Sequence, residues 1–212
     1  TGSATARHYQ LATVMFTDFS SFTKISEKLS PGELLEKLNE YFSAFDKIIK
    51  DYHIEKIKTI GDAYMCAGGV PIRNKFNPIF VVLAAIKIRK YMQLINDSQM
   101  SKGEDIWKIR IGLHSGPIVA GVVGSNRWQY DLWGDTVNTA SRIEAKGEVG
   151  KINITGETYD LIKQYFNCSY RGKIEAKYKG KIDMYFVNGI KSDFALNEQE
   201  PNDLFMKILN EN

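Results

Sequence analysis

The sequence predicts a mixed α+β fold, an α/β sandwich built on a βαββαβ core with a C-terminal extension. Three observations predict it. Short apolar runs with strand period alternate with two long segments of helical period. Two of the strands are separated only by Gly61-Asp62, a hairpin-length connection. Ser30-Pro31-Gly32-Glu33 carries a helix-start signature immediately before the first helical segment.

The elements follow in order. Residues 12–18 read as the first strand. Ser30 is the expected N-cap, Pro31 the first helical residue and Glu33 the partner that closes a capping box. Leu34, Leu35, Leu38, Tyr41, Phe42, Phe45, Ile48 and Ile49 then recur at helical spacing, and the helix should end near Asp51. Ile54 to Ile60 alternates as a strand, with Lys56, Lys58 and Ile60 expected on one face and Ile57 and Thr59 on the other. Ala63 to Ala67 returns from the turn and Gly68-Gly69 breaks it. Asn77-Pro78 opens a second helix, carried by Val82, Leu83, Ile86, Met92 and Ile95. Trp107, Ile109, Ile111 and Leu113 alternate with Lys108, Arg110 and His114 as a half-buried strand. This order is the ferredoxin-like unit. Beyond it come strands at 118–123 and 128–132, a helix from about Gly134 to Lys146, a short strand at 152–154, a helix from Thr155 to Phe166, and closing strands at 168–177 and 184–188.

The order has a geometric consequence. The first two strands are joined by a helical crossover and so run parallel, with their C-terminal ends at one sheet edge. Asp18 ends the first and Asp62 lies in the turn after the second. Each alone reads equally well as a turn cap. Two carboxylates at one edge, with no histidine or cysteine nearby, point to a hard divalent cation such as Mg²⁺ or Mn²⁺.

Composition is that of an ordinary globular chain: 212 residues, 43% hydrophobic, 25% charged. A net charge of +3 is too weak to argue for nucleic acid or a membrane surface. No apolar run approaches the ~20 residues of a membrane span, and no signal peptide is apparent. The two cysteines, Cys66 and Cys168, lie far apart and read as reduced thiols in a cytoplasmic setting. Residues 1–9 are expected to be a leader, with Thr1-Gly2-Ser3 a cloning scar. Residues 10–189 form the main domain, and 190–212 a polar tail with an apolar patch at Leu204, Phe205, Met206, Ile208 and Leu209 that suits a short helix.

Three motifs identify a family. Phe16-Thr17-Asp18-Phe19-Ser20-Ser21-Phe22-Thr23 resembles the first metal motif of class III nucleotide cyclases. Lys56-Ile57-Lys58-Thr59-Ile60-Gly61-Asp62-Ala63-Tyr64-Met65 resembles their second. Gln129 to Arg142, reading Gln-Tyr-Asp-Leu-Trp-Gly-Asp-Thr-Val-Asn-Thr-Ala-Ser-Arg, resembles the third. Three motifs in order over about residues 10–189 are highly specific.

The resemblance implies cyclisation of a nucleoside triphosphate, in which the ribose 3′-oxygen attacks the α-phosphorus in line and pyrophosphate leaves. It implies two Mg²⁺ or Mn²⁺ ions held by Asp18 and Asp62, with the backbone carbonyl of Phe19 on one of them. It assigns Lys58 and Asp131 to the purine edge. Lysine with aspartate is the pair of ATP-selective members, and glutamate with cysteine that of GTP-selective ones. An ammonium suits the acceptor ring nitrogen of adenine and a carboxylate its amino group, so the pair reads as adenine-specific. Asn138 and Arg142, one helical turn apart, would orient the ribose and meet charge on the phosphates. Lys177 matches the lysine that meets the β- and γ-phosphates. Tyr178 stands where the family usually has glycine, and Lys179 could share that role. Asp135 reads as structural, His114 as packing, and Trp128 and Trp133 as core or dimer packing.

Family active sites lie between two such domains, one supplying the metal aspartates and the other the remaining groups. This chain carries both sets, which implies a symmetric homodimer with two equivalent sites. Regulatory domains are expected outside this chain, with membrane tethering possible only through them. The alternatives are a guanylyl cyclase, disfavoured by Lys58 and Asp131, and a silent dimerisation domain, disfavoured because no motif residue is lost. A ferredoxin-like nucleic-acid binder would need exposed aromatic platforms and a basic face. A diguanylate-forming enzyme would need a Gly-Gly-acidic hairpin that is absent.

Overall fold

The computed structural model describes residues 6–124, 129–176, 180–197 and 199–210. Its backbone runs β1 (Arg7–Ser20), α1 (Phe22–Ser26), α2 (Pro31–Lys50), β2 (Glu55–Ile60), β3 (Ala63–Gly68), α3 (Asn77–Ser101), β4 (Lys108–Val123), β5 (Gln129–Trp133), α4 (Asp135–Ala145), β6 (Ile152–Thr155), α5 (Gly156–Ile162), β7 (Phe166–Ala176), β8 (Gly180–Ile190), β9 (Ala195–Asn197), β10 (Glu200–Pro201) and α6 (Asp203–Asn210). The main sheet has the order β2-β3-β1-β4-β6-β8-β7, and β5 also pairs with β4. The β4–β6 pair is parallel and the other pairs of this sheet are antiparallel. Because β3 lies antiparallel between β1 and β2, those two strands run parallel and end at the same edge.

Local signals account for the element boundaries. The α2 capping box forms: the Ser30 N–H donates to Glu33 at 2.8 Å, and the Glu33 N–H donates to Ser30 Oγ at 3.3 Å. Only part of the expected α2 stripe is deeply buried. Tyr41, Phe45 and Ile49 are, whereas Leu35 stands exposed. The β2–β3 turn is the Gly61-Asp62 pair, and Gly61 takes φ +61°, where a Cβ would be strained. Thr155 caps α5, which stops at Ile162 rather than continuing to Phe166.

Two further corrections concern β4. The segments read as separate strands, 107–114 and 118–123, form one strand of 16 residues. Pro117 lies inside it. Opposite this proline β1 carries one extra residue between Tyr9 and Ala12, so the missing N–H falls at a bulge in the pairing. β1 is correspondingly longer than its apolar run, because it follows β4 along most of its length.

The two sheet faces carry separate cores. One face packs Met15, Phe19, Tyr64, Cys66, Ile111 and Leu113 against α2, α3 and α6. The other packs Val14, Phe16, Met65, Ala67, Ile118 and Leu132 beneath Ala140 of α4. Helix α6 is integral to the first core: Phe205 is fully buried, with ring centroids 5.0 Å from Tyr165 and 5.3 Å from Phe194. Phe205→Ala is expected to lower stability by about 3–5 kcal/mol, read by urea unfolding; an unchanged midpoint would mean that α6 contributes nothing to the fold. Burial pushes the Cys66 thiol well up, so it packs as an inert apolar group. Among the described residues no helix is long and apolar enough to cross a membrane.

Candidate active site

Asp18 lies in the last turn of the pleat of β1, directly opposite Arg110 of β4. The Arg110 Nη2 donates to Asp18 Oδ1 at 2.7 Å, and its Nε donates to Glu144 Oε1 of α4 at 2.8 Å. Asp62 sits beside this pair, accepting the N–H of Phe19. Burial pushes the Asp18 carboxyl above its usual range, the charge of Asp62 pushes it further, and Arg110 opposes both. Burial also raises Asp62. The strand order therefore does bring the two carboxylates into each other's field, as the sequence implies. Two half-buried, mutually repelling carboxylates are a donor set that a hard dication relieves. The Phe19 ring is turned away into the opposite core, in contact with Tyr41 and Trp107.

Lys58 reaches its place by a route the sequence hides. β2 carries an extra residue against β3: Lys56 pairs with Cys66, and Lys58 with the very next residue, Met65. The two lysines thus leave the strand on opposite faces, contrary to the simple alternation expected above. Lys56 turns to the α2 side and binds Asp46 at 2.7 Å. Lys58 and the half-buried Ile57 share the other face. There Lys58 Nζ donates to Asp131 Oδ2 of β5 at 2.5 Å, and the Asp131 Oδ1 accepts the Leu132 N–H at 2.8 Å. Both side chains are largely buried, at 29% and 17% exposure. The residues assigned to the purine edge are brought together as one ion pair.

Helix α4 carries Asn138 and Arg142 and rests on two glycines of β4. A Cβ on Gly112 would lie 2.2 Å from the Glu144 backbone nitrogen, and one on Gly116 would lie 2.7 Å from Thr136 Oγ1. Eight helical residues and four strand residues both span about 12–13 Å, so helix and strand stay in step. The Thr136 hydroxyl completes the seat by donating to Pro117 O at 2.7 Å. Thr136, Thr139, Ala140, Ile143 and Glu144 face the sheet. Asn138 and Arg142 fall on the opposite side, Asn138 exposed and Arg142 half-buried. Gly112→Ala is expected to cost about 1–3 kcal/mol and to lower the melting temperature by several degrees, because the obstacle is backbone. A thermal melt indistinguishable from wild type would show that α4 has another resting position.

Lys177 and Lys179, with Trp128, lie outside the described residues. The described part of the β7–β8 pairing closes at Ala176 and Gly180. Trp133, within the third motif, is 40% exposed, which excludes it from the core. His114 is buried, its Nδ1 2.8 Å from Thr155 Oγ1.

Residues 4–189 match the family model of the adenylate and guanylate cyclase catalytic domain. The chain belongs to this cyclase family. Among curated relatives of the cyclase domain, the receptor-type guanylate cyclase gcy-1 of Caenorhabditis elegans is 36% identical over 92% of this chain and 17% of its own length. An adenylate cyclase of Mycobacterium tuberculosis is 37% identical over 88% of this chain and 41% of its own. The chain thus spans less than half of these relatives. The catalytic core of a rhodopsin-guanylyl cyclase with converted specificity, in complex with ATPαS, superposes with a TM-score of 0.80 at 37% identity, over 86% of this chain and 97% of that one.

Two residues that contact the candidate site have no assigned role in the sequence pattern: Arg110 and Glu144. The signal for Arg110 was a guanidinium inside the apolar alternation Ile109-Arg110-Ile111, on the face that Asp18 also occupies. Glu144 gave a weaker one, as an acid on the sheet-facing side of α4. Burial raises its carboxyl, Arg110 pulls it down, and Asp18 and Asp62 push it up again.

Proposed function

We propose that this domain converts ATP to 3′,5′-cyclic AMP and pyrophosphate at sites shared across a homodimer. The observation that carries the choice of ATP is the Lys58–Asp131 pair at 2.5 Å. An ammonium and a carboxylate side by side offer one donor and one acceptor, the complement of adenine's ring nitrogen and amino group. Guanine presents a carbonyl acceptor and a protonated ring nitrogen there, which reverses the pattern and leaves buried groups unpaired. The relatives include both adenylate and guanylate cyclases, so the choice rests on these two side chains.

Asp18 and Asp62 would hold Mg²⁺ or Mn²⁺, with the Phe19 carbonyl as a further oxygen donor. Bound there, the ions would supply charge neutralisation of the triphosphate and acidification of the ribose 3′-hydroxyl. The remaining work belongs to the chain's own groups. Asn138 holds the ribose so that its 3′-oxygen lies in line with the α-phosphorus. Arg142 meets the charge that grows on the phosphate oxygens, a task suited to a permanently protonated, planar fork of donors. Lys177, with Lys179 beside it, steadies the departing pyrophosphate.

The outward face of α4 points away from its own sheet, so a second copy can receive Asn138 and Arg142. Trp133 and Val123 add exposed apolar surface that the copy would cover. ATP as substrate fits a cytoplasmic setting for the domain. The test is turnover of ATP and of GTP with Mn²⁺, read as cyclic nucleotide formed. Cyclic AMP is expected as the main product, with specific activity rising with protein concentration as dimers form. Preference for GTP would overturn the base assignment.

A further inference from the structure

We propose that Glu144 is a positioning residue of the metal site: acting through Arg110, it balances the guanidinium charge and frees Asp18 to bind a divalent cation. The inference rests on the cyclase reading, since it concerns the ions that Asp18 and Asp62 would hold.

The geometry is a relay of three side chains. Arg110 stands directly opposite Asp18 in the β1–β4 ladder and bonds it at 2.7 Å, while its Nε bonds Glu144 at 2.8 Å. Glu144 has little freedom to leave. Its side chain is 9% exposed, and its backbone lies over Gly112, two residues along the strand from Arg110 on the same face. A guanidinium on a metal aspartate works against the metal in two ways. It occupies one of the oxygens and repels the incoming cation. With Glu144 ionised, Asp18, Asp62 and Glu144 against Arg110 leave the cluster two negative charges in excess, matched to one dication. Without it, the excess falls to one, and Arg110 has Asp18 as its remaining carboxylate among these partners. Attraction between charges in a half-buried site persists over several ångströms, because solvent screens it poorly.

The experiment measures Mn²⁺ binding to the full chain without nucleotide, by the loss of the free-ion electron paramagnetic resonance signal. Folding of every variant is checked by circular dichroism. Asp18→Asn should weaken binding strongly and serves as the control for the metal site itself. Glu144→Gln, nearly isosteric, should weaken Mn²⁺ about tenfold. Glu144→Asp, which keeps the charge, should stay within about threefold of wild type. Arg110→Gln should tighten binding, and the double variant Glu144→Gln with Arg110→Gln should return close to wild type, because the two charge changes cancel. A purely structural role for Glu144 predicts no such recovery. Wild-type Mn²⁺ affinity in Glu144→Gln, with binding lost in Asp18→Asn, would overturn this proposal and leave the metal assignment standing. Unchanged binding in Asp18→Asn would overturn both. Should Glu144→Gln fail to fold, the double variant decides alone: weakened binding in it sinks the charge-balance account, and wild-type binding supports it.

Discussion

Mixing equal amounts of Asp18→Ala and Arg142→Ala chains is expected to regain about one quarter of wild-type activity from two nearly silent proteins. Each variant alone forms dimers in which both sites lack a needed group. Asp18→Ala removes half of the carboxylate pair at the β1 edge. Arg142→Ala removes the guanidinium on the outward face of α4. Half of the randomly mixed dimers pair one chain of each kind. In these, one site combines the intact aspartates of the Arg142→Ala chain with the intact arginine of the Asp18→Ala chain. The second site lacks both. One good site in half the dimers gives the quarter. Activity should drop by about 10²–10⁴ in each variant alone, the usual range for loss of a positioned charged group. The mixing assay needs proof of subunit exchange, for example by energy transfer between differently labelled chains. Full exchange with no regain would falsify the shared-site arrangement and place each site within a single chain.

The second large effect concerns the base. Lys58→Glu together with Asp131→Cys is expected to lower the kcat/KM for ATP by about 10³ and to raise GTP turnover above it. Replacing both members at once matters. Lys58 and Asp131 are one ion pair at 2.5 Å, so Lys58→Glu alone sets two carboxylates face to face in a largely buried position. That single variant should lose turnover of both nucleotides and some stability, because the repulsion has no counter-ion. The double variant removes the clash, leaving an acceptor for guanine's protonated ring nitrogen. Continued preference for ATP in the double variant would mean that other groups choose the base.

Much of this was legible in the sequence, and the reasons are physical. Hydrophobic period and one capping box located α2 and its flanking strands, since burial and backbone satisfaction act through nearby residues. The meeting of Asp18 with Asp62 followed from strand order alone. What stayed hidden depended on the partner strand. Residues 107–114 and 118–123 read as two strands, yet an extra residue in β1, more than a hundred positions away in the chain, lets β4 pass through Pro117. Arg110 read as one polar residue of an alternating strand, because the residue opposite it is set by register. Glu144 needed the docking of α4 over Gly112, which no local pattern announces.

Under the proposed base assignment, the bulge in β2 makes nucleotide choice a matter of counting as well as of chemistry. Were Ile57 paired in regular register instead of bulged out, an ideal alternation would send the two lysines to the same side, where Asp46 already holds one of them. The purine reader would become a second surface partner of α2, and Asp131 would be left as a stranded acid. Transplanting base preference between domains of this kind therefore requires moving the irregular backbone of residues 56–58 along with the side chain. A lysine copied onto a regular strand would carry the right charge to the wrong side of the sheet.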